Sequence, residues 1–224
     1  MSAIDATERS NDRSLAASCA VLGAAVGVFG IAFGVGSVAA GGSVAMTCVM
    51  SLLVFTGASQ FSAVSVIASG GSTAAALAGA SLLAARNGVY GLAMSRTLRG
   101  SLLKRIIAAQ ITIDESTAMS TAQEEPQAAR VAFWWTGLSV YVFWNAGTLI
   151  GALAGNAIDP EKFGLDAAFP AGFVAMVIPH LRFRDGRRAA AIGAVICAVT
   201  IPFMPAGVPI LCASVGVLVG VKKP

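Results

Sequence analysis

Two long apolar segments within residues 46–95 constrain the fold of this chain more than any other feature. Each segment is long enough to cross a lipid bilayer, which takes about 20 residues of α-helix. Each also carries groups near its middle that a lipid-facing helix disfavours, namely Gly57, Ser59 and Gln60 in the first and Arg86 and Asn87 in the second. A charge at membrane depth normally faces a protein interior or a water-filled cavity. The pattern therefore predicts membrane helices packed around a polar site.

The scarcity of charge extends this interpretation to the whole chain. Hydrophobic residues make up 56% of the sequence and charged residues 12%, whereas soluble domains carry about 25% charged residues. So few charges cannot cover a water-exposed surface, and most of the surface is therefore expected to contact the lipid bilayer. We predict an all-α, polytopic helical membrane protein with about six to seven spans, some of them broken or re-entrant. Its expected location is the inner cell membrane, which it crosses several times.

We predict a polar N-terminal tail, residues 1–14, and a single transmembrane domain, residues 15–224. Apolar stretches predict spans at about 15–40, 45–69, 73–98, 131–156, 167–181, 189–203 and 206–221. Glycine is dense at 29–36, so the first span is a candidate for a break. Residues 103–122 are too polar for a lipid-facing span. They predict a short re-entrant or interfacial helix, or a span buried against others.

Basic clusters orient the predicted spans, because cytoplasmic loops are enriched in Lys and Arg. The clusters lie at 96–105 and 182–188, and Lys222 and Lys223 close the chain. All three are expected in the cytoplasm, and the loop at 157–166 outside. Three full crossings before the first cluster would put the N-terminus outside, unless the glycine-rich first run does not cross completely.

Several classes of function are disfavoured by the residue types present. The four cysteines are scattered and the chain has one histidine, His180, so neither a metal site nor a cofactor is expected. The net charge of +4 reports membrane orientation and not nucleic-acid binding. No nucleophile–base pair, phosphate loop or catalytic carboxylate pair is recognisable, so the chain is not expected to be an enzyme. His180 is expected at the cytoplasmic edge of the membrane.

Glycines recur at four-residue spacing in several of the apolar runs. Small residues at this spacing let membrane helices approach closely. The alternative is that they mark breaks in helices that line a pathway. The glycines concerned are Gly23, Gly27, Gly30, Gly34, Gly147, Gly151, Gly155, Gly216 and Gly220.

The segment from Gly57 to Gln60 is the first candidate site. A glycine in mid-span weakens a helix by about 1 kcal/mol relative to alanine. If the helix breaks there, free N–H groups and the positive end of a helix dipole appear at membrane depth, where transporters hold anionic groups. Ser59 and Gln60 would add polar side chains. The alternative is an unbroken helix in which Gln60 forms an interhelical hydrogen bond.

Arg86 is the second candidate, with Asn87 and Tyr90 beside it on the same helix. A central Arg costs at least about 2.5–3.5 kcal/mol to insert, so it requires a partner. Asp114 or Glu115 is the acidic group expected to supply it. The pair either locks the packing, or presents Arg86 to a substrate carboxylate or tunes a proton-carrying acid.

Two further pairs of residues complete the candidate site. Asp114 and Glu115 are proton-coupling candidates, because a carboxyl in a poorly hydrated site has a raised pKa; the alternative is a solvated pair on an interfacial helix. Trp144 and Asn145 offer an aromatic wall and a polar handle for a pocket. The alternative for Trp144 is an ordinary core aromatic residue.

Four segments in order resemble the AzlC family, the large subunit of two-component branched-chain amino acid exporters. They are LLVFTGASQFSAV at 52–64, AARNGVYGLAMS at 84–95, QITIDESTA at 110–118 and WNAGTLIGALAGNAIDPEKFGLD at 144–166. The resemblance covers about residues 30–181. The matched positions are Gly57, Gln60, Arg86, Tyr90, Asp114, Glu115, Trp144 and Gly151.

The resemblance implies proton-motive-force-dependent export of leucine, isoleucine, valine and often methionine. It also implies a small AzlD-like membrane subunit as partner, and a higher oligomer is compatible with it. The substrate-binding set expected on this basis is Gly57, Ser59, Gln60, Arg86, Asn87, Tyr90, Trp144 and Asn145. The alternatives are a facilitative channel for another small solute and a non-transporting membrane subunit.

Overall fold

The computed structural model describes residues 3–157, 174 and 177–219 of the chain, and these residues form helices joined by short turns. The predicted all-α class is confirmed. The α-helices are α1 (Ala3–Ala39), α2 (Val44–Leu53), α3 (Ala58–Ala68), α4 (Thr73–Met94), α5 (Leu102–Gln110), α6 (Asp114–Thr121), α7 (Pro126–Ala157), α8 (Arg184–Thr200) and α9 (Val208–Ala213). Short 3₁₀ helices occupy Ile178–Arg182, Ile201–Phe203 and Ser214–Val219. Most of the predicted loop at 157–166 and of the predicted span at 167–181 lies outside the described residues, as does the side chain of His180.

Three helical stretches in the described part of the chain are long and apolar enough to cross a membrane. They are Arg13–Ala39, Pro126–Gly155 and Arg184–Phe203. The 22-residue helix α4 is not among them, and it carries Arg86 and Asn87 in its second half. The chain is therefore a membrane protein by these helices, and the count of six to seven spans stays a prediction.

The central pair of helices, α1 and α7, packs through glycine. A Cβ at Gly23 would lie 2.7 Å from Cβ of Ser139, and one at Gly34 would collide with the carbonyl of Thr148. Contacts therefore advance in the same direction along both helices, so α1 and α7 run parallel. The predicted close packing is confirmed. The predicted break at 29–36 is wrong, because α1 is continuous through that stretch and its glycines admit the backbone of α7.

Helix α1 also extends further toward the N-terminus than its apolar run. It begins at Ala3, so most of the predicted polar tail continues the helix. The division into a tail and a transport domain stays a prediction.

The segment predicted as one span at 45–69 is a helical hairpin. Helix α2 ends at Leu53 and α3 begins at Ala58. Helix α3 then returns along α2, since Ala63 and Val66 pack against Met50. The base of this first hairpin lies at the C-terminal end of α1, where the Ser37 and Thr47 hydroxyls hydrogen-bond at 2.7 Å. The single crossing predicted for this segment is wrong, because the break reverses the chain.

Helices α5 and α6 form a second hairpin, with its tip at residues 111–113. Helix α5 lies along the end of α4, and Ala108 and Ile111 cluster with Met94. Helix α6 then runs back beside α7, and Ser120 Oγ donates a hydrogen bond of 2.9 Å to the carbonyl of Ala129. With nine and eight residues, neither helix crosses a membrane. Of the predictions for 103–122, a full span is therefore excluded.

The two hairpins approach each other from opposite ends of α7. The first hairpin extends from the C-terminal end of α7 toward its middle, and Ser51 Oγ donates a hydrogen bond of 3.1 Å to the Thr148 hydroxyl. The second hairpin extends from the N-terminal end of α7, near Ala129, toward the middle, and Ile113 at its tip packs against Val140 and Trp144. The two tips therefore meet beside the middle of α7.

At the end of the chain, α9 and the following 3₁₀ helix fold back on α8. A Cβ at Gly193 would lie 3.3 Å from the carbonyl of Ala213, and one at Gly216 would lie 3.0 Å from that of Ala189. The predicted hairpin between the last two apolar segments is confirmed. The last segment contains a six-residue α-helix and a 3₁₀ helix where one regular span was predicted.

Candidate functional site

A cavity of about 160 Å³ lies between the tips of the two hairpins and the middle of α1 and α7. An apolar cavity of about 150 Å³ accommodates a molecule the size of benzene. Most of its wall is apolar, and a few polar groups come from the two tips. Its lining residues are Val26, Phe29, Phe55, Thr56, Gly57, Ala58, Phe61, Ile113, Asp114, Glu115, Val140 and Trp144.

Trp144 and Phe61 line the cavity, and Phe33 packs against both of them without lining it. The ring of Trp144 stacks on Phe33 at a centroid distance of 6.1 Å and meets Phe61 edge-on at 5.9 Å. Trp144 is only 4% exposed. It is thus both a core aromatic residue and a cavity wall, and the two predicted alternatives coexist. Its indole Nε1 is buried without a hydrogen-bond partner among the described residues.

The N-terminal end of α3 opens onto the cavity through Gly57 and Ala58. Gly57 has φ +60° and ψ −89°, in the left-handed half of conformational space that favours glycine. A Cβ there would have its nearest neighbour at 3.8 Å, Cη2 of Trp144, so the backbone conformation and not the space selects glycine. Of the two predictions for this segment, the broken helix is therefore confirmed. The positive end of the α3 dipole faces the cavity.

Gln60 braces the break from behind. Its Oε1 accepts a hydrogen bond of 3.2 Å from the backbone N–H of Gly57, and its Nε2 donates one of 3.4 Å to the carbonyl of Met50. The side chain is 0% exposed. Neither Gln60 nor the buried Ser59 belongs to the described cavity lining, so the structure places both behind the surface that a ligand would contact.

The carbonyl end of α2 is closed by side chains from other elements. Gln110 Nε2 donates to the carbonyl of Leu52 at 2.9 Å and to that of Leu53 at 3.4 Å. Tyr141 Oη donates to the same Leu52 carbonyl at 3.2 Å. The break is therefore asymmetric, because its carbonyl end is capped and its N–H end faces the cavity.

Sequence reasoning missed Gln110, Tyr141 and Thr56. Gln110 opens the QITIDESTA segment and Thr56 immediately precedes Gly57, so both lie in segments already singled out. Thr56 lines the cavity, and its hydroxyl lacks a partner among the residues described. Tyr141 had no local signal, since it acts on a carbonyl 89 residues away.

Arg86 forms the predicted ion pair. Its Nη2 lies 2.7 Å from Oδ2 of Asp114, and the two side chains are 32% and 35% exposed. Tyr90, one turn further along α4, faces the same carboxylate. Asp114 lines the cavity, and its Oδ1 is buried without a described partner. Arg86 and Tyr90 are not among the lining residues, so they contact the site through Asp114.

Glu115 follows Asp114 in the first turn of α6 and also lines the cavity. Burial raises the pKa of Glu115 above its ordinary value, and the neighbouring charge of Asp114 adds to the rise. Helix α6 lies outside the three membrane-crossing stretches. Glu115 is thus a partly buried carboxyl and not a fully solvated one, and its proton-coupling role stays a prediction.

The two asparagines are not brought to the cavity. Asn145 Nδ2 donates a hydrogen bond of 2.8 Å to the carbonyl of Tyr141, one turn back on α7, and its Oδ1 is buried with no described partner. Asn87 lies on α4 beside Arg86. Neither belongs to the described lining. Of the predicted set, the structure therefore gathers Gly57, Asp114, Glu115 and Trp144 around one cavity.

Comparison with known proteins gives one match. The model of the family described as AzlC protein matches residues 21–158. All twelve lining residues of the cavity fall within this range. No curated protein and no solved structure matches the chain.

Proposed function

The chain belongs to the AzlC family, and from this premise we propose that it exports branched-chain amino acids across the inner membrane. AzlC is a transport-associated family and not an enzyme family. The proposed substrates are leucine, isoleucine and valine, with methionine as a further one, and the proton motive force drives their export. The observation that carries the proposal is the cavity between the N-terminus of α3 and the Asp114–Glu115 pair.

The substrate zwitterion fits this cavity in one orientation. Its carboxylate lies at the N-terminus of α3, because free backbone N–H groups and the helix dipole favour an anion there. The unpartnered Nε1 of Trp144 is a further donor among the lining residues. Its ammonium lies at the free Oδ1 of Asp114. Its apolar side chain packs in the part of the cavity lined by Val26, Phe29 and Val140.

The structure favours one of the two carboxylate partners that the sequence left open. Arg86 is already paired with Asp114 and is not in the described cavity lining. We therefore assign the substrate carboxylate to the α3 N-terminus and the orientation of Asp114 to Arg86. Glu115 is the proposed carrier of the coupling proton, since its raised pKa brings protonation closer to neutral pH.

The proposed complex includes a small AzlD-like membrane subunit, and a higher oligomer is compatible with it. Support for the subunit comes from the family resemblance. Three apolar helices of this chain are available to contact lipid or a partner helix in the bilayer. We propose that the chain crosses the bilayer several times.

Leucine efflux tests the proposal directly. Cells that express this chain with and without its small partner are fed a leucine-containing dipeptide, and intracellular leucine is followed over time. We expect lower accumulation with both subunits, and loss of the effect on adding a protonophore. Unchanged levels of leucine, isoleucine, valine and methionine would refute the proposed substrate class. Efflux that survives the protonophore would point to a facilitative channel.

The Arg86–Asp114 ion pair specifically supports a second candidate function. A partly exposed ion pair of this kind would also hold helices together in a non-transporting membrane subunit. Exchanging the charges, with Arg86→Asp and Asp114→Arg together, separates the two functions. In a non-transporting subunit, the exchanged protein would regain its folded yield and any activity of the complex would stay unchanged. The exporter would fold but lose leucine efflux, because the ammonium site would then carry a positive charge.

A further inference from the structure

We propose that Gln110 is a positioning residue that fastens the second hairpin to the first and so sets the distance between the two ends of the substrate site. This inference rests on the proposed function, since it assigns a role to a residue beside that site. Gln110 is not a ligand for the substrate, because it is not among the described residues that line the cavity.

The break between α2 and α3 creates a requirement that Gln110 meets. The last four carbonyls of a helix have no partner within the helix. Wherever lipid instead of water surrounds such a carbonyl, leaving it unsatisfied costs several kcal/mol. Gln110 Nε2 lies 2.9 Å from the carbonyl of Leu52 and 3.4 Å from that of Leu53, so one amide group caps two of these carbonyls.

The same bonds join two elements that share no chain connection at the site. Gln110 is the last residue of α5, and its bonds reach 58 and 57 residues back along the chain. Gln60, by contrast, braces the first hairpin internally, through Met50 and Gly57. Tyr141 ties α2 to α7 and leaves the second hairpin untouched. Gln110 therefore supplies a hydrogen-bonded link between the hairpins, beside the apolar contacts that Ile113 makes in the cluster with Phe55 and Phe61.

The link sits close to both ends of the proposed substrate site. Leu53 precedes Gly57 by four residues, and Gln110 precedes Asp114 by four residues. A shift at the link moves the α3 N-terminus relative to the Asp114 carboxylate. Since a misplacement of about 1 Å can cost a site roughly a hundredfold, the link governs how well one substrate molecule bridges both groups.

Changing Gln110 to Glu makes the link depend on pH. An ionised carboxylate only accepts hydrogen bonds, whereas a protonated carboxyl donates one. Gln110→Glu therefore re-forms the link in acid and loses it in base, and Gln110→Leu lacks it at every pH. Gln123→Glu is the matched control, because Gln123 Nε2 also donates to a backbone carbonyl, that of Met119 at 3.3 Å, away from the cavity. The charged or titratable groups of the neighbouring elements are unchanged in all these proteins: Arg86 and Tyr90 on α4, Lys104 and Arg105 on α5, Asp114 and Glu115 on α6, and Tyr141 on α7.

The first measurement is leucine export by the whole complex between acid and alkaline pH. We expect Gln110→Glu to raise KM about tenfold at alkaline pH, which corresponds to the loss of one hydrogen bond between neutral groups. In acid, the KM of this variant should approach that of the parent. Gln110→Leu keeps the raised KM throughout, and Gln123→Glu follows the parent. A Gln110→Glu profile parallel to that of Gln123→Glu would overturn the proposal.

The second measurement does not depend on leucine being the substrate. Ala58→Cys is placed in the cavity wall of a chain whose own four cysteines are replaced, and its modification by a small thiol reagent is timed. At each pH, the rate of cysteine modification in the Gln110→Glu variant is divided by the rate in the parent that keeps Gln110. We expect this ratio to rise with pH, because loss of the hydrogen bond lets the tips of the two hairpins separate. A ratio independent of pH refutes the link even if leucine is not transported. If the Gln110→Glu protein does not accumulate in cells while the Gln123→Glu protein does, Gln110 is needed for folding. That outcome would likewise overturn the positioning role.

Discussion

Gly57 shows how a single residue sets the site, since its φ of +60° is unfavourable for every other L-residue. Gly57→Ala has room for its methyl group, so backbone strain is its main effect, at about 1–3 kcal/mol. Gly70, with φ +76° and open space around it, is the matched control at the other end of α3. We expect both alanine variants to lower the unfolding temperature in detergent by similar amounts, and Gly57→Ala alone to impair leucine export. Equal export by both would separate the break from transport.

Arg86 orients Asp114 and is expected to matter more for activity than for stability. The pair is one-third exposed, so its removal costs less folding energy than a buried pair would. Arg86→Ala should insert normally and lower leucine export at least about tenfold, since Asp114 loses its fixed orientation. Arg99→Ala, in the basic loop after α4, controls for loss of one positive charge. Parent-level export by Arg86→Ala would contradict the assigned role.

Glu115 predicts a pH dependence of stability. A carboxyl whose pKa is raised in the folded state binds more protons there than when unfolded. The contribution of Glu115 to the stability of the folded protein is therefore fully present in acid. It is lost as the pH rises from 4.5, the ordinary pKa of Glu, through the raised pKa of the folded state. We expect the unfolding temperature of the purified protein to fall over this window. Glu115→Gln should flatten the decline, and an unchanged slope in that variant would assign it to other groups.

At the scale of helices, the break at Gly57 was one of two predicted alternatives, whereas the break expected at 29–36 is absent and the reversal after Gly57 was not predicted. A glycine in the middle of an apolar run indicated the break at Gly57. A 25-residue apolar run has the same composition whether it crosses a membrane or returns as two short helices. Composition therefore could not predict that the chain reverses direction at Gly57. Gln60 looked like a ligand because a buried amide has the same local pattern whether it binds substrate or caps a helix. The closing bonds from Gln110 and Tyr141 span 58 and 89 residues, and local patterns do not carry such distances.

The partner of Arg86 was predictable because a membrane charge needs an opposite charge and few were available. Its separation from the cavity was not, since the side of α4 that faces the site depends on how the second hairpin packs. The glycine spacing likewise predicted close helix packing without identifying α7 as the partner of α1. In each case the chemistry of the residue was evident and the geometry of its neighbours was not.

The pairing of α1 with α7 gives a prediction about substitutions at its glycines. A Cβ at Gly30 would lie 2.5 Å from the carbonyl oxygen of Trp144, and a backbone carbonyl cannot turn aside as a side chain can. Gly30→Leu should therefore destabilise the protein by about 1–3 kcal/mol or more. Gly88→Leu on α4 meets open space and is the control. Thermal unfolding in detergent compares the two, and equal stability would show that the helices can move apart at little cost.

At the scale of the whole molecule, the parallel course of α1 and α7 revises the predicted topology. The first hairpin returns to the end of the molecule where it began, so one of the three crossings assumed before residues 96–105 is absent. Helix α1 therefore starts at the same end as α7 and as the basic cluster. Because basic loops face the cytoplasm, we expect the N-terminus there too. A reporter fused to the N-terminus, compared with one inserted at residues 96–105, tests this; opposite locations would contradict it.

The parallel glycine contact between α1 and α7 also limits which parts of the molecule can work as moving parts. Because the backbones of these two helices touch along several turns, we expect this pair to stay fixed during the proposed transport cycle. In the proposed transport cycle, the two hairpins, each attached to one end of this helix pair and meeting its middle at their tips, would then be the parts that open. A covalent cross-link between α1 and α7 would then leave the proposed transport cycle intact. A cross-link between the two hairpin tips would keep the cavity closed to both sides of the membrane.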